Sequence, residues 1–135
     1  MKRSALITLS VMGMAVLFSC KKDKKLQANT LVGKWELKMS INGFTGKKEN
    51  YPEGNGYMVE FDEKEYRFIE KNKTMKEGKY SIEKKISKIT DREESYIIYD
   101  GVKDGIPETY SVQADELTLS IDAIDGPASI YRKLD

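Results

Sequence analysis

Cys20 is the one cysteine of the 135-residue chain, and its thiol is the most reactive group that the sequence offers. It follows the apolar stretch 5–18 and precedes the charged run 21–25. Two basic residues before the apolar stretch, and the small Ser19 before the cysteine, are typical of a secretory signal that ends in a cleavage site. The sequence therefore predicts that residues 1–19 are removed and that a lipid is attached to Cys20.

Two other interpretations of this segment are weaker. A transmembrane helix needs about 20 apolar residues, and the stretch 5–18 is shorter than that. A free thiol at Cys20 would be a liability in an exported protein, whereas lipid attachment explains both its position and the lack of a second cysteine. With no partner for Cys20, we expect no disulfide in the folded domain.

The residues Leu17-Phe18-Ser19-Cys20 resemble the lipobox of bacterial lipoproteins, with Phe18 bulkier than the residue usual at its place. The resemblance implies cleavage before Cys20 by signal peptidase II and acylation of the cysteine, for example by palmitate. It also implies a lipid-anchored protein of the cell envelope. Lys21 is not the aspartate that retains many such proteins at the inner membrane. We therefore expect the outer membrane, with its periplasmic and surface faces both left open.

The other residue types offer little catalytic chemistry. The sequence has no histidine, which is the commonest general base and metal ligand, and acylation would remove the only thiol. The acidic turns at 91–94 and 122–125 lack the ligand spacing of a calcium loop, and we expect them to face water. The composition therefore predicts that the protein is not an enzyme and holds no metal and no cofactor. An enzyme remains an alternative only if tyrosines and carboxylates converge inside an open cavity.

The charge of the chain argues against a nucleic-acid partner. The formal charge of +1 becomes −1 when residues 1–19 are removed, because that segment holds Lys2 and Arg3 and no acidic residue. Binding to a phosphate backbone needs a concentrated basic face, which this balance does not predict. The partners that we expect are the membrane through acylated Cys20, a small apolar ligand, and another envelope protein.

Beyond the signal, the chain divides into a polar segment and a folded domain. Residues 20–30 are mostly charged or polar and predict a tether. Residues 31–135 contain eight or nine short runs in which apolar and polar residues alternate, with no sustained helical period. This pattern predicts an all-β domain, an antiparallel up-and-down β-barrel of about eight strands, because closure removes exposed strand edges. On its first strand, one face is expected to carry Trp35, Leu37, Met39 and Ile41.

A tryptophan and an arginine stand at opposite ends of this domain. Trp35 lies on the first predicted strand and Arg132 on the last, and these strands are neighbours in a closed barrel. A guanidinium can stack on an indole, a contact worth about 0.5–2 kcal/mol. The alternation therefore predicts that Arg132 packs on Trp35, and we expect Trp35 to be a core residue rather than a ligand contact.

These residues, with Gly33, resemble the signature of the lipocalins, and more closely that of the small lipocalin-like domains common among Bacteroidetes lipoproteins. The resemblance implies that Gly33 allows close chain approach, that Trp35 plugs the closed end, and that Arg132 packs across it. The motifs that carry it are Leu31-Val32-Gly33-Lys34-Trp35-Glu36-Leu37, Val59-Glu60-Phe61, Glu77-Gly78-Lys79-Tyr80-Ser81-Ile82, Tyr110-Ser111-Val112, Leu117-Thr118-Leu119 and Tyr131-Arg132-Lys133-Leu134.

A barrel of this size is either filled by side chains or holds one small apolar ligand. The function that we expect is non-catalytic binding of such a ligand. The alternative is an interaction or inhibitor module whose barrel is filled by side chains. The loop 42–56 should hang over the open mouth, either as a lid that carries Phe44 and Tyr51 or as a merely flexible connection. The candidate ligand-lining residues are Leu37, Met39, Tyr57, Val59, Phe61, Tyr66, Phe68, Tyr80 and Tyr110.

Overall fold

The computed structural model describes residues 30–135, so Cys20 and the predicted signal and tether lie outside the described residues. Short runs rich in aromatic and β-branched residues form strands here, as such side chains fit a pleated surface. Within 30–135 there are nine strands and no helix. The strands are β1 (Gly33–Ile41), β2 (Lys48–Asn50), β3 (Tyr57–Phe61), β4 (Glu65–Glu70), β5 (Lys73–Ile86), β6 (Glu93–Tyr99), β7 (Glu108–Gln113), β8 (Glu116–Ile121) and β9 (Ala128–Leu134).

In the part of the chain that is described, no helix is long and apolar enough to cross a bilayer.

Eight of these strands close into an antiparallel barrel. The order around the sheet is β1-β3-β4-β5-β6-β7-β8-β9, and β9 pairs back with β1 from Lys34↔Leu134 to Ile41↔Ala128. The short strand β2 is the ninth, and it pairs with the end of β1 that β3 does not reach. Because neighbours in the barrel follow the order of the sequence, the predicted all-β, up-and-down barrel of eight strands is confirmed.

A β-bulge in β1 reverses the face that the second half of the strand presents. Leu37 pairs with Tyr131, and the next pair is Met39 with Ile130, so the register shifts by one residue between them. Tyr131 packs on the core, and Ile130 is its neighbour on the opposite face. The expectation that Met39 and Ile41 share the inner face with Trp35 is therefore wrong, because one extra residue in a strand moves every later side chain to the other side.

Trp35 closes one end of the barrel from within. Its side chain is 0% exposed, it faces Val59 across the β1–β3 pair, and its indole Nε1 donates to the carbonyl oxygen of Leu31 at 2.9 Å. A buried indole N–H needs such a partner, so the segment before β1 is held across the end of the barrel. The buried core cluster around it comprises Leu31, Trp35, Val59, Phe61, Tyr66, Ile97, Leu117 and Leu119.

Lys133, and not Arg132, covers the tryptophan. Lys133 is the β9 partner of Trp35, and its Nζ lies 5.5 Å from the centroid of the indole ring. Arg132 is the partner of Glu36, and paired residues on antiparallel strands share a face. The predicted stacking of Arg132 on Trp35 is therefore wrong, because the arginine is one residue out of phase and lies on the outer face of the barrel.

Glu36 and Arg132 instead hold a segment of chain against the outer wall. Glu36 is only 4% exposed, and its carboxylate accepts the backbone N–H groups of Gly54 at 2.7 and 3.0 Å and Asn55 at 3.3 Å. Arg132 Nη2 donates to the carbonyl oxygen of Tyr51 at 2.6 Å. Hydrogen bonds to charged groups are about twice as strong as neutral ones. The loop expected at 42–56 is thus not wholly irregular: it contains β2, and its last part is bound to β1 and β9.

The long strand β5 changes partners halfway along its length. Its first half, up to Lys79, pairs with β4, and its second half, from Tyr80, pairs with β6. Gly78 lies at the changeover, where an added Cβ would stand 2.0 Å from Oδ1 of Asp100. A glycine is therefore required for the carboxylate of Asp100 to reach the strand. The carboxylate of Asp100 accepts hydrogen bonds from Tyr66 on β4 and Lys79 on β5, and so holds the end of β6 against both strands.

We expect Trp35→Ala to lower the free energy of unfolding by about 3–5 kcal/mol, because it removes a fully buried indole and its hydrogen bond to Leu31. Chemical denaturation followed by circular dichroism measures this change. Phe44→Ala is the matched control, since that ring is 85% exposed and its loss should change stability by no more than about 0.5 kcal/mol. An unchanged free energy of unfolding for Trp35→Ala, or an unchanged melting temperature in a thermal scan, would show that the indole does not plug the barrel.

Candidate functional site

The two ends of the barrel differ. At the end closed by Trp35, the chain before β1 crosses the core, with Leu31 itself buried. Because the strands run alternately up and down, the opposite end carries the connections after β1, β4, β6 and β8. The connection after β4 is a two-residue turn in which Lys71 and Asn72 both have positive φ, a conformation that suits a tight hairpin. The longer connections at this end are 42–56, which contains β2, 100–107 and 122–127.

A cavity of about 400 Å³ opens at this end, beneath the connection 100–107. Its volume falls within the range of pockets that hold small molecules. Most of its wall is apolar or aromatic, and three charged side chains reach it. The lining residues are Phe68, Lys76, Ile97, Tyr99, Asp100, Val102, Gly105, Ile106, Glu108 and Ile121.

Glu108 is the half-buried carboxyl of this cavity. It is the first residue of β7 and pairs with Ile97 on one side and Ile121 on the other, so both neighbours surround it with apolar surface. Burial raises the pKa of Glu108, while a hydrogen bond from Tyr99 and the charge of Lys76 act in the opposite direction. The Tyr99 hydroxyl donates to Oε1 of Glu108 at 2.5 Å. The carboxyl is thus held in place by a side chain of the neighbouring strand.

Asp100 is the second carboxyl and lies where β6 ends. Its φ is +53°, a left-handed conformation that aspartate tolerates better than most residues. Its oxygens accept the hydroxyl of Tyr66 at 2.8 Å and the N–H of Lys79 at 3.0 Å. These hydrogen bonds, the one from Tyr66 first, lower the pKa of Asp100. Asp100 is therefore a stable carboxylate at the rim of the cavity.

Phe68, Lys76 and Tyr99 line the polar corner of the cavity, and the buried ring of Tyr66 packs against Phe68 and Tyr99. The ring centroids of Tyr66 and Tyr99 are 4.6 Å apart, and Phe68 lies 5.7 Å and 6.1 Å from them. Nζ of Lys76 lies 5.5 Å from the centroid of Tyr66 and 5.1 Å from that of Tyr99. Both distances are within the range of cation–π contacts. Lys76 reaches the cavity because it pairs with Phe68, whose ring points the same way.

The tyrosine hydroxyls of this region are hydrogen-bond donors at neutral pH. Burial raises the pKa of Tyr66 to about 12, and the bond to Asp100 acts in the same direction. Burial likewise raises the pKa of Tyr131 to about 12. The pKa of Tyr99 is raised by burial and by the charge of Glu108. A general base needs a pKa near the working pH, so these groups are suited to recognition of a bound molecule rather than to proton abstraction.

The structure distributes the predicted ligand-lining residues over several regions. Phe68 lies on the wall of the cavity. Val59, Phe61 and Tyr66 belong to the buried core, and Leu37 pairs with Tyr131, which packs on that core. Tyr80 has its ring centroid 5.2 Å from that of Phe61, and its hydroxyl donates to the carbonyl oxygen of Asp62. Tyr110 packs on the core and Tyr57 is half-buried. Met39 faces outward, as the bulge in β1 requires.

The two candidate lid residues take different positions. Phe44 lies in the connection between β1 and β2 and is 85% exposed. Tyr51 is half-buried and packs edge-on against Tyr57, with 5.9 Å between the ring centroids. Neither residue lines the 400 Å³ cavity. The connection that covers the cavity is 100–107.

Of the ten residues that line the cavity, only Phe68 was predicted from the sequence; the missed residues include all the charged ones and Tyr99, namely Lys76, Tyr99, Asp100 and Glu108. The run Tyr96-Ile97-Ile98-Tyr99, apolar on both faces, indicates a strand buried on both sides, and this is the signal that pointed nearest to the site. The charged residues carry no such signal. Exposed lysines and acidic residues have the same spacing elsewhere in the chain.

A larger depression of about 560 Å³ lies on the outer wall, near the end closed by Trp35. Four of its seven charged residues are already paired: Glu60 lies 3.5 Å from Lys34 and 3.7 Å from Arg67, and Arg67 lies 3.2 Å from Glu77. Exposed pairs of this kind contribute at most about 1 kcal/mol each. We therefore favour the smaller cavity, which has an apolar wall. Residues 30–135 contain no cluster of His, Cys, Asp or Glu side chains that could hold a metal ion.

Comparison with known proteins adds no relative. The chain matches no family model, no curated protein and no solved structure. The closed eight-stranded barrel and the cavity at its open end are therefore the observations from which a function is argued.

We expect the free energy of unfolding of the wild-type protein to fall as the pH rises, because of Glu108. Glu108→Gln should remove this fall. Because burial raises the pKa of Glu108 above its ordinary value of 4.5, the folded protein binds more protons than the unfolded chain just above that pH. Stability therefore falls as the pH rises towards the folded-state pKa. The groups that face Glu108 are Tyr99, Tyr131 and Lys76, and burial raises the pKa of both tyrosines, so neither hydroxyl changes charge in this range.

Urea unfolding between pH 4 and 8 measures the difference in free energy of unfolding, variant minus wild type, which should grow with pH. Glu83→Gln is the control of opposite sign. A hydrogen bond from Lys103 at 2.8 Å lowers the pKa of Glu83, so that carboxylate stabilises the fold at neutral pH and loses its contribution as the pH falls. A flat difference for Glu108→Gln would show that the carboxyl is not destabilised by burial.

Proposed function

We propose that this chain is a lipid-anchored protein of the bacterial cell envelope whose barrel binds a small, mostly apolar molecule without transforming it. The observation that carries the proposal is the cavity of about 400 Å³ at the open end of the barrel. Apolar walls with a few convergent polar groups are the usual composition of a small-molecule site. Here the polar groups are Lys76, Asp100 and Glu108.

The fold supports this proposal. A closed, eight-stranded antiparallel barrel is wide enough to hold one small ligand where side chains do not fill it. The lipocalin-like resemblance of the sequence agrees with it in fold and in the buried Trp35 at one end. It differs in Arg132, which lies on the outer wall. The barrel is filled near Trp35 and open at the other end, so the ligand would enter among the connections 100–107 and 122–127.

The chemistry of the site supports binding rather than catalysis. The chain has no histidine, and burial keeps the hydroxyls of Tyr66, Tyr99 and Tyr131 protonated through a raised pKa. Glu108 is already bonded to Tyr99, and Asp100 to Tyr66. Two carboxyl groups occupied in this way position a bound molecule through charge and hydrogen bonds.

A second function, an envelope interaction module, has its own supporting observation. Large apolar side chains project from the connections at the open end, with Ile124 93%, Phe44 85% and Ile106 77% exposed. Clustered exposed apolar surface marks sites of association. A partner protein seated on these loops would cover the mouth of the barrel.

Native mass spectrometry of the protein purified from its own host distinguishes the two functions. A bound small molecule, released under stronger collisional activation, is the result expected for ligand binding. A protein without bound small molecule that co-purifies with a second protein would overturn ligand binding in favour of the interaction module.

We expect Cys20→Ser to abolish lipid anchoring, because a hydroxyl does not replace the thiol as the acylated group. Detergent phase partitioning measures this: the wild-type protein should enter the detergent phase and the variant the aqueous phase. Ser19→Ala is the matched control, since it keeps a small residue before the cysteine and should remain in the detergent phase. Equal partitioning of wild type and Cys20→Ser would contradict the anchor.

A further inference from the structure

The polar corner of the cavity has the composition of a site for a cation. Tyr66 and Tyr99 present two aromatic rings whose centroids are 4.6 Å apart, and Phe68 stands within 6.1 Å of both. Aromatic faces attract cations, and cages of such rings recognise ammonium groups. We call these three rings the cage.

The cage already contains an ammonium group, that of Lys76. Its Nζ lies 5.5 Å from the centroid of Tyr66 and 5.1 Å from that of Tyr99. Within residues 30–135 Lys76 forms neither an ion pair nor a side-chain hydrogen bond, so the rings are its close contacts. Lys76 is also an exposed residue near the start of β5. Its side chain can therefore leave the cage for water, at the cost of the two ring contacts and of the attraction of Asp100 and Glu108.

The charges around the cage also favour a cation. Asp100 and Glu108 are both lining residues of the cavity, against the single positive charge of Lys76. Each carboxyl is attached to a ring of the cage through a hydrogen bond, Asp100 to Tyr66 at 2.8 Å and Glu108 to Tyr99 at 2.5 Å. A carboxylate that accepts a hydrogen bond from a tyrosine polarises the O–H bond and increases the electron density of the ring. If Lys76 moved out, an uncompensated cation site would remain.

We propose that the barrel binds an amphiphile whose head is an ammonium group, and that Lys76 occupies the cage until this ligand replaces it. This inference rests on the proposed ligand-binding function and specifies its ligand. The ammonium head takes the place of Lys76 Nζ over the rings of Tyr66 and Tyr99, beside Glu108. The apolar chain of the ligand lies along Ile97, Ile106 and Ile121. The side chain of Lys76 moves to solvent when the ligand enters.

Three probes of equal chain length test the charge of the head: decyltrimethylammonium, 1-decanol and decanoate. Isothermal titration calorimetry of the folded domain, at probe concentrations below micelle formation, gives the dissociation constants. We expect decyltrimethylammonium to bind about tenfold tighter than 1-decanol, and decanoate to bind most weakly. Dihexanoylphosphatidylcholine carries the same trimethylammonium head beside a phosphate. It distinguishes the two sources of an ammonium group, a lipid headgroup and a free amine. Binding as tight as that of decyltrimethylammonium points to a lipid headgroup, and weaker binding points to a free amine.

Lys76→Met tests the replacement. Removal of the resident ammonium should tighten binding of decyltrimethylammonium by about 2- to 30-fold, the equivalent of one cation–π contact, and leave that of 1-decanol unchanged. Lys85→Met is the matched control, because this substitution removes the same charge outside the cavity. In the wild type, Nζ of Lys85 lies 4.4 Å from the centroid of the Tyr96 ring. Glu108→Gln should weaken decyltrimethylammonium relative to 1-decanol. Thermal melting confirms that each variant is folded.

Each outcome decides a separate point. Preference for decyltrimethylammonium that increases in Lys76→Met and not in Lys85→Met supports the inference. Equal binding of all three probes, or preference for decanoate, overturns the cation site and leaves the ligand-binding function intact. No binding of any probe, in wild type and in Lys76→Met, overturns both the inference and the ligand-binding function.

Discussion

The pairing of β9 with β1 is the constraint on which the rest of the structure depends. It runs along nearly all of β1 and turns an open sheet into a closed barrel. Closure sets Trp35 between Val59 and Lys133, which gives the barrel one filled end. It also aligns Glu36 with Arg132, so the outer wall can bind the chain that follows β2.

The open end exists because the strands are not equally long or equally paired. β5 has 14 residues and divides them between β4 and β6, with Gly78 and Asp100 at the changeover. β6 and β7 share only the pairs Tyr96↔Thr109 and Ile97↔Glu108. Core side chains therefore fill the barrel near Trp35, while the region under 100–107 keeps a cavity with charged groups at its edge.

Sequence reasoning was successful where a pattern reflects one physical cause. Alternation of apolar and polar residues predicted the strands, their short connections predicted the barrel, and the size of Trp35 predicted its burial. It failed at the bulge between Leu37 and Met39, because one inserted residue leaves the alternation of the sequence unchanged and shifts the pairing. Arg132 was assigned to the wrong face for a related reason, because the sequence does not show which residue of β9 pairs with Trp35.

The candidate site was harder to predict than the fold, for a physical reason. A charged residue on a strand has no marker for whether it faces water or a cavity, and the answer depends on neighbours distant in sequence. Glu108 is half-buried because Ile97 and Ile121 flank it, and Lys76 on β5 lies over the ring of Tyr99 on β6. Only the tyrosines, as large aromatic residues, indicated where the interior would be.

The closing pair has a further consequence for how the chain folds. Lys34 must find Leu134, 100 residues away, whereas Glu70 and Lys73 meet across a two-residue turn. Bringing together the ends of a flexible loop of that length costs about 4 kcal/mol of chain entropy before any contact repays it. We therefore expect the hairpins to form early and the seam between β1 and β9 to form last, at a slow rate. Until then both edges are unpaired, so slow closure is the step at which this barrel is exposed to aggregation.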